Sequence, residues 1–195
     1  MVMKHIFVFS FTLFLLFVVN PLDAQDVKFD TTVMSGKIGF RIYCKNKMGE
    51  QNRLEIKLIG FQNTAREPNF FILGRVAKAV LDDLNNDGYP DLLLYISTGE
   101  GGIYGTVYAF ASDQNKAIIP CVLPDVMANG KLSQGYKGHD EFSLMEGSLL
   151  QKFPLYKPGD DKDKPTGGKR IIQYHMAATT NGKYEFKVMQ SYDLK

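Results

Sequence analysis

"DLNNDGYPDLLLYISTGEGGIYGTVYAF", residues 83–110, decides the architecture because its middle is apolar at consecutive positions. Leu92, Leu93, Leu94, Tyr95 and Ile96 follow one another without a polar break. Successive residues of a strand point to opposite faces, so a strand built from these five is apolar on both. It has to lie centrally, covered on each side. Outward from it the dominant period is two. Leu54, Ile56 and Leu58 alternate with Glu55 and Lys57, and Tyr184, Phe186 and Val188 alternate with Lys183, Glu185 and Lys187. Such alternation marks half-buried strands. The stretches "GKIGFRIYCK" (36–45), "FILGRVAKAVL" (71–81), "YGTVYAFAS" (104–112), "KAIIPCVL" (116–123), "GSLLQKFPLY" (147–156) and "GKRIIQYHMA" (168–177) read the same way with less regular alternation. No segment carries a long helical stripe, and "VMANGKLSQGY" (126–136) has room for one helical turn at most. Short strands separated by Gly, Asp, Asn and Pro clusters predict an all-β, antiparallel β-sandwich or barrel-like single domain.

The N-terminus, "MVMKHIFVFSFTLFLLFVVNPLDAQ", has Lys4 ahead of an apolar run from Ile6 to Val19, a break at Asn20 and Pro21, and the small Ala24 before Gln25. That is the layout of a secretory signal peptide, residues 1–24, with an uncleaved anchor as the alternative. The run is shorter than the roughly 20 residues that span a bilayer as a helix. The expected product is residues 25–195, one exported domain, periplasmic or secreted, without membrane insertion after cleavage. Its formal charge of +2 lacks the strongly basic face that nucleic acid favours. The two cysteines, Cys44 and Cys121, both fall on apolar strand faces. A disulfide and two buried thiols both fit that placement.

Within "DLNNDGYPD", Asp83, Asn85, Asp87 and Asp91 occupy relative positions 1, 3, 5 and 9, and Gly88 occupies position 6. Alternate oxygen-bearing side chains in a tight loop can converge on a hard cation such as Ca²⁺, which takes about six to eight oxygens. The carbonyl of Tyr89 would be a further ligand. The flanks read as strands and Leu94 stands where an EF-hand needs a bidentate Glu, so this is not an EF-hand. It resembles the β-hairpin calcium loops of FG-GAP and integrin-type propeller repeats, although one copy is present where those repeats come in arrays. The alternative is an Asn/Asp-Gly turn whose carboxylates cap backbone N–H groups. In both cases the role is structural, fixing how the next strand begins.

After the apolar strand comes "STGEGGIYG" (97–105). Its glycines permit positive φ and a close backbone approach, and Tyr104 adds a ring and a hydroxyl. By itself the segment is a hairpin loop. Its surroundings say more. The order of acidic loop, apolar strand, Gly-rich turn with a tyrosine, and "GTVYAF" (105–110) is followed by "GYKGHDEF" (135–142), "FPLYKPGD" (153–160), "PTGGKR" (165–170) and Tyr174. Together these resemble the periplasmic inhibitors of invertebrate-type lysozyme, over most of the chain from about Gly39 to Tyr174. The resemblance implies an all-β fold and a non-enzymatic role, blocking a lysozyme by inserting a protruding loop with a Ser-Gly-x-Tyr pattern into its cleft. The matching positions here are Gly101, Gly102, Ile103 and Tyr104, with Gly101 in place of the serine. The implied contact segment comprises Ser97, Gly99, Glu100, Gly101, Gly102, Ile103 and Tyr104. A glycosidase of this kind works through two carboxyl groups, so the loop should offer them hydrogen-bond donors. With the serine absent, the obvious donors are backbone N–H groups and the Tyr104 hydroxyl, and Glu100 adds an opposing charge.

The expected partner is thus a lysozyme-like glycosidase, with a homodimer left open, and the one cofactor considered is a structural Ca²⁺. A rival expectation is a calcium-stabilised extracytoplasmic module that binds carbohydrate or protein, which would need Tyr104, Tyr108 and Phe110 on an exposed face. "GHDEF" (138–142) reads as a polar turn, because adjacent residues of a strand rarely converge on one ion. Lys157, Lys162, Lys164, Lys169 and Arg170 read as a solvated loop tip offset by Asp160, Asp161 and Asp163. The hydrolase motifs G-x-S-x-G and H-E-x-x-H and the P-loop do not occur.

Overall fold

A computed structural model describes residues 27–62 and 65–195. The expected signal segment therefore lies outside the described residues. The strands fall into three four-stranded antiparallel sheets, each a simple meander. The first contains β1 (Phe29–Ser35), β2 (Ile38–Cys44), β3 (Gln51–Ile59) and β4 (Asn69–Leu73). The second contains β5 (Arg75–Asp82), β6 (Asp91–Thr98), β7 (Tyr104–Asp113) and β8 (Ala117–Val122). The third contains β9 (Glu141–Met145), β10 (Ser148–Pro154), β11 (Lys169–Ala178) and β12 (Tyr184–Leu194). The expected all-β antiparallel fold is what forms, as open sheets in a sandwich extended by a third layer.

The second sheet is the middle layer, and β6 explains why. Leu92, Leu94 and Ile96 pack with Phe40, Ile42, Leu54, Ile56 and Ile72 of the first sheet. Leu93 and Tyr95 join Leu149, Phe153, Ile172, Tyr174 and Met176 of the third. All five residues at 92–96 are buried. At about 2 kcal/mol per fully buried large apolar side chain, this strand alone contributes on the order of 10 kcal/mol, an upper estimate.

One glycine moves the chain from the first sheet to the second. Gly74 has φ +107, and a Cβ there would lie 2.2 Å from the Ser97 carbonyl oxygen. "FILGRVAKAVL" is therefore two strands of different sheets, β4 and β5, meeting at Gly74. A register shift between Val76 and Lys78 then changes which side chains of β5 face each core. The sole Pro within the middle sheet, Pro120, sits on its edge strand β8, where a missing N–H is tolerated.

Cys44 belongs to the core on one face of the middle sheet and Cys121 to the core on the other, and both are free thiols. Of the two arrangements the sequence allowed, the structure has buried thiols. Burial pushes Cys121 up to about 12, which leaves it an inert apolar filler.

Candidate functional site

The hairpin between β6 and β7 ends in a single 3-10 turn, Glu100–Gly102. Thr98 pairs with Tyr104 at the last rung of the ladder, so the turn starts where the sheet stops. Gly99, Gly101 and Gly102 have φ of 75°, 67° and 73°, values that disfavour residues with a Cβ. The Gly102 N–H donates to the Gly99 carbonyl, closing the turn. Glu100 and Gly101 at the tip are exposed.

Tyr104 stands at the base of this turn rather than at its tip. Its ring is wedged between two glycines: a Cβ on Gly99 would lie 2.7 Å from one ring edge, and a Cβ on Gly138 would lie 3.1 Å from the other. The Tyr136 ring is 6.2 Å away. Even so, 41% of Tyr104 is exposed, so the ring is held in place and still accessible.

The bracing comes from residues 135–142. His139, itself at φ 62°, donates its backbone N–H to the Ile103 carbonyl. Asp140 Oδ2 accepts from the Gly105 N–H at 2.8 Å and from the Tyr136 hydroxyl at 2.7 Å. Asp140 Oδ1 accepts from Gln151 Nε2 at 2.7 Å, and Gln151 Oε1 accepts from the buried Tyr174 hydroxyl at 2.9 Å. A buried polar chain thus runs from the core of the third sheet to the first residues of β7. Burial holds the Asp140 carboxyl above its ordinary range, against the lowering effect of its three donors. The Tyr136 hydroxyl is raised too, first by burial and then by Asp140. "GHDEF" is not a turn: residues 138–140 are irregular and lead into β9 at Glu141, and Asp140 is the residue that ties this segment to the loop.

Sequence reasoning passed over Gln151. A signal existed: Gln151 occupies an inward position between Leu149 and Phe153, and a buried amide needs partners. It also misread Arg170. This residue is no solvated tip: its guanidinium makes a two-pronged pair with Asp193 at 2.7 and 2.9 Å and donates to the carbonyls of Lys131, Leu132 and Gln134.

The acidic loop lies at the opposite end of β6, so the two motifs do not form one site. Asp83 accepts from the N–H groups of Asp87 and Gly88, Asn85 Oδ1 from Asp87, and Asp87 from Tyr89 and from the Asn85 amide. Asp91 is fully buried and accepts from Leu84 and Ser112 N–H groups. Burial pushes its carboxyl up to about 7; the two N–H bonds oppose this, and Asp87 and Asp83 add to it. Among the described residues no three His, Cys, Asp or Glu side chains converge as a metal-ion ligand set. The side chains of Asp83, Asn85 and Asp87 close the loop on itself, and the Tyr89 N–H takes part as a donor.

Phe110 is buried and Tyr108 half-buried, with Phe70 centred 6.0 Å from each, so the exposed three-ring platform is not formed. Among the described residues no helix is long and apolar enough to cross a membrane. No protein-family profile, no curated protein and no solved structure matches this chain. What fold and site together define is a class: an all-β scaffold presenting one braced, Gly-rich loop with an accessible tyrosine at its base.

Proposed function

We propose that this chain is an exported, non-enzymatic inhibitor of a lysozyme-like glycosidase, acting by insertion of the 99–104 loop into the catalytic cleft. One observation carries the proposal: the loop tip is exposed while its base is fastened at Ile103, Tyr104 and Gly105 by a separate segment of the chain. A loop fixed before docking loses less conformational entropy on binding, and the gain appears as affinity. Tyr104→Ala should weaken inhibition by about 1–2 kcal/mol or more, read from lysis of cell-wall suspensions by invertebrate-, chicken- and goose-type lysozymes. Full inhibition by that variant rejects insertion at Tyr104.

A second reading concerns the 83–91 loop, which we propose as a site for a structural Ca²⁺. Its support is Asp91, a fully buried carboxyl near two other acids with no cationic side chain paired to it among the described residues. Chelation should lower the melting temperature of the wild type and leave Asp87→Ala unmoved. Identical melting curves of the wild type with and without chelator reject the ion.

A further inference from the structure

The Gly-rich loop lacks a side-chain donor at Gly101, yet a cleft built on carboxylates calls for one. The structure supplies a cation from another strand. Arg75 opens β5 and pairs with Ser97 across the β5–β6 ladder. Its Nη2 lies 4.0 Å from the point where a Gly102 Cβ would project, and the Ser97 hydroxyl lies 3.5 Å from the same point. Arg75 is half-buried, and among the described residues its guanidinium donates no hydrogen bond and forms no ion pair. Arg41, Arg53 and Arg170 are engaged, with Asp30, with Asn69 and Glu55, and with Asp193. Arg66, exposed between β3 and β4, is unpaired like Arg75 among the described residues, but of the two only Arg75 lies against the Gly-rich loop, at Gly102. An arginine left without an anion beside an exposed loop is a charge awaiting a complement. The missing side chain at Gly102 leaves the space above Ser97 and the guanidinium uncovered.

We infer that Arg75, seconded by the Ser97 hydroxyl, is the carboxylate-recognising element of the loop, and that it meets a cleft carboxylate of the glycosidase when the Gly102 side of the turn docks. The planar guanidinium matches a carboxylate with two parallel N–H bonds, which a lysine ammonium cannot reproduce. The inference rests on the inhibitor proposal above. It also accounts for how a loop with Glu100 at its tip and no serine can face an acidic cleft: the positive charge comes from beneath the loop, not from within it.

The test uses the mature protein and the same three lysozymes, with affinities measured by calorimetry at low and physiological salt. Tested variants are Arg75→Gln, Arg75→Lys and Tyr104→Ala, together with a lysozyme whose catalytic Glu is replaced by Gln. Melting curves establish that each variant is folded. Arg75→Gln is expected to bind at least tenfold more weakly and with less salt dependence, while Arg75→Lys recovers only part of the loss. Against the Glu→Gln lysozyme the wild type should lose at least tenfold and Arg75→Gln should lose nothing further, the signature of a direct pair. If Arg75→Gln binds within twofold of wild type while Tyr104→Ala does not, the role of Arg75 is overturned and the inhibitor proposal stands. If the wild type binds none of the lysozymes, both are overturned.

Discussion

Replacing Asp140 with alanine removes the acceptor at the centre of the loop's bracing, and the size of the effect can be worked out from its partners. Three donors lose their acceptor: the Gly105 N–H, the Tyr136 hydroxyl and the Gln151 amide. Hydrogen bonds to an ionisable acceptor contribute about 1.5–3 kcal/mol each, which would sum to more than 4 kcal/mol. Two effects reduce this. The buried carboxyl is itself costly, as its raised pKa records, and its removal relieves that cost. Tyr136, Gln151 and Gly105 also border a cavity of about 420 Å³, from which water can enter and rehydrate the orphaned donors. A net loss of about 3 kcal/mol follows. At ~2–4 °C per kcal/mol for a chain of this size, the melting temperature should fall by roughly 10 °C. Circular dichroism melts and urea midpoints measure it, with Asp140→Asn expected between the two because one carbonyl acceptor survives. An Asp140→Ala protein melting within about 2 °C of wild type would refute the reasoning, since three unsatisfied donors cannot be that cheap.

Gly138→Ala should destabilise by about 2 kcal/mol or more, because φ is +89° and the new Cβ would lie 2.5 Å from the Ile103 carbonyl oxygen; Gly130→Ala, in open space, should stay within about 0.5 kcal/mol in the same denaturant titration. The Asp91 carboxyl, raised to about 7 from an unfolded value of 3.8, is protonated in the folded state while ionised in the unfolded one between those limits. It therefore favours folding at low pH and loses that contribution as pH rises from about 4 through about 7, on the order of 4 kcal/mol in total. Urea midpoints at pH 5 and pH 8 in chelator should fall with rising pH in the wild type and be flatter in Asp91→Asn; an equal slope in the variant removes Asp91 as the cause.

Much of the fold was legible because a strand's two faces alternate along the chain, and burial acts on faces. Five consecutive apolar residues at 92–96 announce a doubly covered strand, and that strand proved to be the centre of the middle layer. Alternation says nothing about which sheet a strand joins, so the division of residues 71–81 at Gly74 left no trace in the pattern. The threefold recurrence of a four-stranded meander was equally invisible. Each sheet has a different set of faces to cover, so each is filled by different residues, and no sequence repeat results. At the site, the loop's conformation was readable from its glycines, since positive φ is a local property. Its bracing was not, because Asp140, Gln151 and Tyr174 meet only when the third sheet forms, and reach Gly105 only when that sheet packs on the second. Arg170 failed for a related reason: basic residues clustered in a sequence look solvated until the carbonyls they cap are known.

The position of the loop in the stack bears on its use. A hairpin on either outer sheet would be packed against a core on one face only. The β6–β7 hairpin belongs to the layer with a core on each face, and β6 is buried along most of its length. Displacing its end would disturb both cores, so the strand ends that carry residues 99–103 are the stiffest mount the architecture offers. The 135–142 segment then removes most of the remaining freedom at the loop's base, through Ile103 and Gly105, while leaving Glu100 and Gly101 exposed. Two features there go beyond closing a hairpin: a buried carboxyl at Asp140, and the missing Cβ that lets Gly138 approach Ile103. A loop serving only to join two strands needs neither the buried carboxyl nor the close approach of a second segment, since a two-residue turn with positive φ closes a hairpin by itself. Expenses of this kind, gathered around one exposed turn, fit a segment whose shape is used by a partner.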